Sequence, residues 1–277
     1  LAGEQAFTGR KLLIASGSEP ILPPIYGLKE ALASGFAITS REALARKTVP
    51  ASIAIIGGGV IGLEIASYYQ SVGSQVTVIE MLDHIAGPID LEISSILQKN
   101  LSRKGIDFRL SGKVTEIRDG GVTYQKNGND IDVFCEQVLV SIGRRPSTQG
   151  LGLETLGIDM DRTAICTNER CQTNVPRVFA AGDVNGRSML AHTAYREAEV
   201  AVANLLGQDD RMDYGSIPAV IYTNPEVAGV GETEQSAREK GLDFSVHSLS
   251  MRYSGRYVAE NEGGDGDRKS VVWGKSV

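Results

Sequence analysis

Apolar residues fall in short β-branched runs separated by stretches of helical period, and the pattern is clearest across residues 53–80. Residues 53–56, Ile-Ala-Ile-Ile, form an unbroken apolar run, as expected of a strand buried on both faces of a parallel sheet. Leu63, Ile65, Ala66 and Tyr69 then recur at helical spacing, and residues 75–79 predict a second strand. Residues 90–104 predict an amphipathic helix with Leu91, Ile93, Ile96, Leu97 and Leu101 on its buried side, stopped by Gly105. A third strand is expected at 106–110. Residues 113–134 alternate in three short segments, divided by Asp119-Gly120-Gly121 and Asn127-Gly128-Asn129, both strong hairpin turns. Residues 138–142 read as a further buried strand. A βαβαβ unit carrying a small antiparallel meander is therefore expected over about 49–143.

The flanks follow a different rhythm. A short strand at 12–15 runs into the small-residue turn Ser16-Gly17-Ser18, and Pro20, Pro23 and Pro24 mark an extended connector. Ser40 is placed to cap a short helix over 41–45. After the βαβαβ unit, residues 175–181 predict a strand that ends in Gly182-Asp183, and residues 193–206 predict a helix rich in Ala and Glu. The charged stretch 208–213 is a plausible boundary. Beyond it, strands at 218–222, 227–231 and 244–249 and a helix at 233–240 form the start of an α+β unit.

The chemistry concentrates where the first strand meets the first helix. Gly57, Gly59 and Gly62 stand in the spacing G-x-G-x-x-G. Gly57 permits a sharp turn out of the strand, Gly59 lets backbone approach a pyrophosphate, and Gly62 lets the helix pack closely on the strand. The helix N-terminus supplies N–H groups and positive dipole to phosphates. Glu80, at the end of the second strand, is positioned to accept hydrogen bonds from the adenosine ribose hydroxyls. Met81-Leu82-Asp83-His84 offers no Arg to neutralise a 2′-phosphate, which points to NAD rather than NADP. Asp183, at a strand end before a helix, suits the polyol hydroxyls of a cofactor and equally suits an ordinary helix cap.

Composition narrows the class. The 277 residues are 42% hydrophobic and 22% charged, enough to bury a core over one large or two medium domains. With 28 basic and 34 acidic side chains the net charge is −6, which disfavours nucleic-acid and anionic-membrane partners. No apolar run approaches the length of a membrane span. No leader is evident in a chain that opens on Leu1, and a cytoplasmic location is the expectation. Cys166 and Cys171 stand in a C-x-x-x-x-C spacing, but their strand-and-turn surroundings lack anything that would activate a thiolate. Cys135 follows Val133-Phe134 and reads as a buried apolar residue.

Five motifs in order resemble the flavin-dependent pyridine nucleotide–disulfide oxidoreductases. Residues 14–20 resemble that family's A-T-G-S-x-P segment, with Ser16 in place of Thr. Residues 57–64 are similar to its NAD fingerprint, residues 143–146 to its domain-return turn, Ala180-Ala181-Gly182-Asp183 to its second flavin motif, and residues 221–228 to the opening of its dimerisation domain. The resemblance implies an α/β fold: a Rossmann-like NAD domain (45–143) inserted in a partial FAD domain (1–44 and 144–212), then the truncated start of an α+β dimerisation domain (213–266). It implies FAD and NAD as cofactors. Ser16, Gly17, Ser18, Asp183, Met189, Leu190, Ala191 and His192 would lie along FAD. Gly57, Gly58, Gly59, Val60, Ile61, Gly62, Leu63, Glu64, Glu80, Val114 and Gly143 would line NAD, with Glu64 also near the nicotinamide and flavin.

What the resemblance does not find is as informative. The family's first flavin fingerprint and redox C-x-x-x-x-C have no counterpart here, and His247 lacks the H-P-T-x-x-E setting of the family's acid/base pair. Residues 267–277 depart from the expected apolar strand and read as a non-family tail. No catalytic residue and no metal ligand is expected, so the chain reads as an inactive internal fragment. Its parent would be a homodimer that oxidises dihydrolipoamide, free or on a lipoyl domain of a 2-oxoacid dehydrogenase or glycine cleavage complex. The alternatives are another member of the family, such as a transhydrogenase or mercuric reductase, and a non-catalytic NAD-binding module.

Overall fold

A computed structural model describes residue 5, residues 7–261 and residues 266–273. Two short strands, β1 (Leu12–Ile14) and β2 (Ser18–Pro20), precede α1 (Leu28–Ser34), β3 (Ala37–Ile38) and α2 (Ser40–Ala45). Next come β4 (Ser52–Ile56), α3 (Val60–Ser71), β5 (Gln75–Ile79), α4 (Leu91–Arg103) and β6 (Asp107–Arg109). The meander β7 (Lys113–Arg118), β8 (Gly121–Lys126) and β9 (Asn129–Phe134) leads to β10 (Gln137–Val140) and β11 (Arg144–Pro146). Then follow β12 (Met160–Asp161), β13 (Ala164–Ile165), β14 (Val178–Ala180) and α5 (Ala191–Leu205). The chain ends through β15 (Pro218–Ile221), β16 (Val227–Val230), α6 (Glu234–Glu239), β17 (Phe244–Ser250), α7 (Gly255–Asn261) and β18 (Asp267–Trp273).

These elements form two compact units, Leu22–Gly143 with Pro218–Val277, and Leu1–Ile21 with Arg144–Ile217. The first is built on a parallel sheet of order β3-β10-β4-β5-β6. Its central strand β4 is apolar from Ile53 to Ile56 because both faces are covered. Ile53, Ala54, Ile55 and Ile56 are all buried, and α3 lays Leu63, Ile65, Ala66 and Tyr69 against the same core. On α4, Asp90 caps the N-terminus by accepting from the Glu92 N–H, while Leu97 and Leu101 are buried. Leu91, expected on the buried side, is 50% exposed because it opens the first turn, ahead of the stripe that meets the sheet. The expected strand at 106–110 is reduced to β6.

Residues 1–44 were expected in the partial FAD domain, but within them β3 pairs with β10 and extends the parallel sheet by one strand. The α2 cap is Thr39 rather than Ser40. The Glu42 carboxylate accepts from both the Thr39 N–H and its hydroxyl, at 2.8 and 2.6 Å, and the Thr39 hydroxyl bond holds the Glu42 carboxyl below its usual range.

The C-terminal residues of this unit are tied to it by side chains. Ile221 is buried in the core shared with the parallel sheet, and Lys104 Nζ donates to the Asn224 carbonyl at 2.7 Å. The strand β18 pairs antiparallel with β17 from Phe244↔Trp273 to Ser250↔Asp267, so part of the expected tail is a ladder strand. Its Lys269 reaches Glu234, Asp90 and Glu92 at 2.7, 3.0 and 3.1 Å. Burial works against the ammonium charge, but the bonds to Glu234, Asp90 and Glu92 outweigh it and raise its pKa.

In the second unit β1 and β14 form a two-stranded parallel sheet, with Ile14, Val178 and Ala180 in its core. The segments expected as two separate turns, 16–20 and 143–146, pair as the antiparallel strands β2 and β11. The predicted strand 175–181 shortens to β14, and α5 starts two residues earlier than the periodicity predicts. That shift puts Ala191 and His192 on its first turn.

Leu139 is wholly buried on β10, beside the central strand β4 of the parallel sheet. Leu139→Ala should cost about 3 kcal/mol from lost burial and the cavity left behind. Urea unfolding followed by far-UV circular dichroism checks this, and an unchanged midpoint would contradict the packing described.

Candidate functional site

The glycine turn is shaped by contacts that exclude a side chain at two positions and leave one open. Gly57 has φ +106°, and a Cβ there would lie 2.5 Å from the Ser141 carbonyl oxygen. At Gly62 a Cβ would meet Gly57 O at 2.1 Å and Ser141 Oγ at 2.7 Å, so α3 rests directly on the strand backbone. At Gly59 nothing lies within 4 Å. The open position thus faces the space where backbone meets a ligand, as a pyrophosphate cradle requires. Val60 is exposed at the helix start, Ile61 packs partly on the core, and Leu63 is buried. The 12-residue α3 presents its first-turn N–H groups at this same point.

Glu80 closes the site. Its Oε2 accepts from the Gly58 N–H at 2.6 Å and its Oε1 from the Leu82 N–H at 2.8 Å. The carboxylate is held at the strand end, half-buried, beside the turn. Gly143 has φ +121° and is exposed at the end of the sheet. Two other predicted residues stand differently. Val114 is buried in the core beneath the meander, so its side chain supports the fold. Glu64 Oε1 accepts from the backbone N–H of Tyr222 at 2.9 Å, linking α3 to the end of β15. The pattern G-x-G-x-x-G-x-E carries no local signal for that long-range partner.

In the other unit the structure brings Ser18 and Asp183 together. Ser18 Oγ donates to Asp183 Oδ2 at 2.5 Å. Arg144, which sequence reasoning did not single out, organises the pair. Its Nε donates to Ser18 Oγ and its Nη2 to Ser18 O, both at 2.7 Å, with Asp183 4.0 Å away. The β2–β11 pairing makes this contact, and nothing in the local sequence announces a partner so distant. Ser16 Oγ donates to the Ser147 carbonyl, and Gly17 has φ +73° with open space where a Cβ would be. Asp183 starts a single 3₁₀ turn of residues 183–185 after Gly182, whereas the N-cap of α5 is Leu190. It is therefore not a cap of α5. Met189 and Leu190 are half-buried, and Ala191 and His192 are exposed.

The three cysteines are free. Cys166 is exposed and Cys171 buried, and burial pushes the Cys171 thiol up to about 12, with the charge of Glu197 adding to the shift. Burial also raises the Cys135 thiol. Among the described residues no group of His, Cys, Asp and Glu could hold a metal ion, and no helix is long and apolar enough to cross a membrane.

The sequence matches the family described as Pyridine nucleotide-disulphide oxidoreductase over residues 2–198, and that family's dimerisation domain over residues 217–276. The second match runs across 267–276, the stretch expected to fall outside the family. The chain is 36% identical to a dihydrolipoyl dehydrogenase of Mycoplasma pneumoniae over 93% of its own length and 57% of the relative's. It is 40% identical to the mitochondrial dihydrolipoyl dehydrogenase of Homo sapiens over 92% of its length and 51% of that protein. Among solved structures it is similar to the HOCl-induced flavoprotein disulfide reductase RclA from Escherichia coli, with a TM-score of 0.85 and 27% identity. That likeness covers 99% of this chain and 62% of the other. The chain thus spans about half the length of the curated relatives it matches.

Two measurements check the site. Gly62→Ala forces a Cβ onto backbone that cannot yield, and should cost at least about 2 kcal/mol in urea unfolding. With an aromatic disulfide reagent at pH 8, Cys166 should label first and Cys171 only on unfolding, read by peptide mass. Rapid labelling of Cys171 in the native protein would contradict its burial.

Proposed function

Because the chain belongs to the pyridine nucleotide–disulphide oxidoreductase family, we propose that it is the nucleotide-binding portion of a dihydrolipoyl dehydrogenase. The family uses FAD and NAD. The whole protein would convert dihydrolipoamide and NAD⁺ to lipoamide, NADH and a proton, through an enzyme disulfide and the flavin. The observation that carries the reading is the glycine turn with its open Gly59 and the Glu80 carboxylate anchored beside it.

Bound FAD and NAD supply the hydride transfer; the chain's residues hold and orient them. The backbone of residues 57–62 and the N-terminus of α3 take the pyrophosphate of NAD, while Glu80 accepts from the adenosine ribose. Ser18 and Asp183 offer oxygens to a flavin polyol, and Arg144 balances the Asp183 charge. The dithiol step needs a thiolate nucleophile beside an acid/base. Cys166 and Cys171 do not supply it, since one is exposed and the other buried and held protonated. That step belongs to groups outside this chain.

A second copy of the protein and a lipoyl-bearing substrate are the proposed partners. Another flavin disulfide reductase is the alternative favoured by the likeness to RclA. Identity of 36–41% to dihydrolipoyl dehydrogenases, against 27% to RclA, supports the first reading.

Glu80→Arg should weaken NAD binding at least tenfold and admit NADP, because a guanidinium pairs the 2′-phosphate that a carboxylate repels. Fluorescence titration with NADH and NADPH decides it; two unchanged affinities would remove Glu80 from the ribose site. The purified 277-residue chain should show no dihydrolipoamide-dependent NADH formation, and measurable turnover would place the dithiol chemistry within it.

A further inference from the structure

Glu197 is the one acidic side chain on α5 with no exposure at all, and the site described above does not use it. Burying a carboxylate costs several kcal/mol unless both oxygens find donors. Both do. Oε2 accepts from the Gly182 N–H at 2.6 Å, and Oε1 accepts from the Tyr214 hydroxyl at 2.8 Å. Tyr214 is held in turn by the Arg187 guanidinium, 4.1 Å from its ring centroid.

The first of these bonds is made at a demanding place. The ladder strand β14 ends at Ala180, so the buried Gly182 N–H lies past the last rung. Gly182 has φ +80° and ψ −163°, a conformation open in practice to glycine alone. Such a turn keeps its shape only where the surroundings determine it. Its neighbour Asp183 takes the bond from Ser18. Glu197 stands on the helix whose first turn carries Ala191 and His192, and Ala194 on that helix lies 3.4 Å from where a Gly182 Cβ would be. One buried carboxylate therefore joins the turn that carries Asp183 to the helix that begins at Ala191.

We infer that Glu197 is the positioning residue of the flavin side: it fixes the Gly182–Asp183 turn against α5 and so sets the Asp183 carboxylate for the cofactor polyol. Tyr214 completes it by satisfying the second oxygen, so the carboxylate points one way only. The inference rests on the proposal that Asp183 faces a flavin.

Three variants test it. Glu197→Gln keeps an oxygen for Gly182 and can donate to Tyr214 through its amide. Glu197→Asp keeps the charge but withdraws it by one methylene, and Glu197→Ala removes the group. Hydrogen exchange at the Gly182 amide needs no flavin and should accelerate at least tenfold in the Asp and Ala variants, while staying within threefold of wild type in Gln. Affinity for FAD, read by quenching of its fluorescence, should follow the same order. If Ala does not fold, Asp carries the test. Unchanged Gly182 exchange in the Asp variant would overturn the role of Glu197. Unchanged FAD affinity in Asp183→Ala would instead overturn the flavin reading, whatever the exchange shows.

Discussion

The nucleotide site depends on a contact between two backbones with nothing between them. The carbonyl of Gly57 sits where a Cβ of residue 62 would be, and Ser141 presses from the neighbouring strand. Close-packed interiors do not absorb an added methyl at such a point without moving the chain. Because α3 is seated this closely, its N-terminus opens beside the end of β4, and the Gly58 N–H reaches Glu80. The N-terminus of α3, the glycine turn and the Glu80 carboxylate are thus brought together by one steric restriction. The strand β4 behind it is buried over Ile53–Ile56 and contributes rigidity, while the glycine turn and Glu80 lie at the carboxyl edge of the sheet.

The flavin side is organised by charge instead. Arg144, Ser18 and Asp183 form a short polar chain at the β2–β11 pairing, and Glu197 lies buried beneath the Asp183 turn. Each group there answers another's hydrogen-bonding need, so the loss of one leaves its partners unsatisfied in a poorly solvated place.

Local patterns made the nucleotide sheet legible in the sequence. Ile53–Ile56, the G-x-G-x-x-G spacing, the α3 stripe and the Asn127-Gly128 turn each report a short-range constraint, and each element lies close to where it was expected. The less legible features are pairings between residues far apart in the chain. β3 is two residues long and carries no period, yet it joins the sheet through β10. The β2–β11 pair unites two turns, and only that pairing reveals Arg144. Val114 is a separate case, since the resemblance placed it along NAD while the structure shows its side chain packed in the core beneath the meander. Residues 267–273 read as a non-family tail because they depart from the apolar strand that the resemblance implies; the stretch nevertheless pairs with β17, and Lys269 is enclosed by three carboxylates.

The interleaving of the two units bears on how the chain reaches this state. Leu12 finds its partner only at Val178, after all of Leu22–Gly143 has left the ribosome. The parallel sheet, by contrast, holds its five strands within residues 37–140 and can collapse while the other unit is still only β1 and β2, without their partners β14 and β11. Its last core residue, Ile221, arrives later still. Closing distant segments is slow, because loop entropy is lost before the contacts form. Synthesis thus imposes an order of assembly: the nucleotide sheet first, the β1–β14 pairing next, and the seal at Ile221 last.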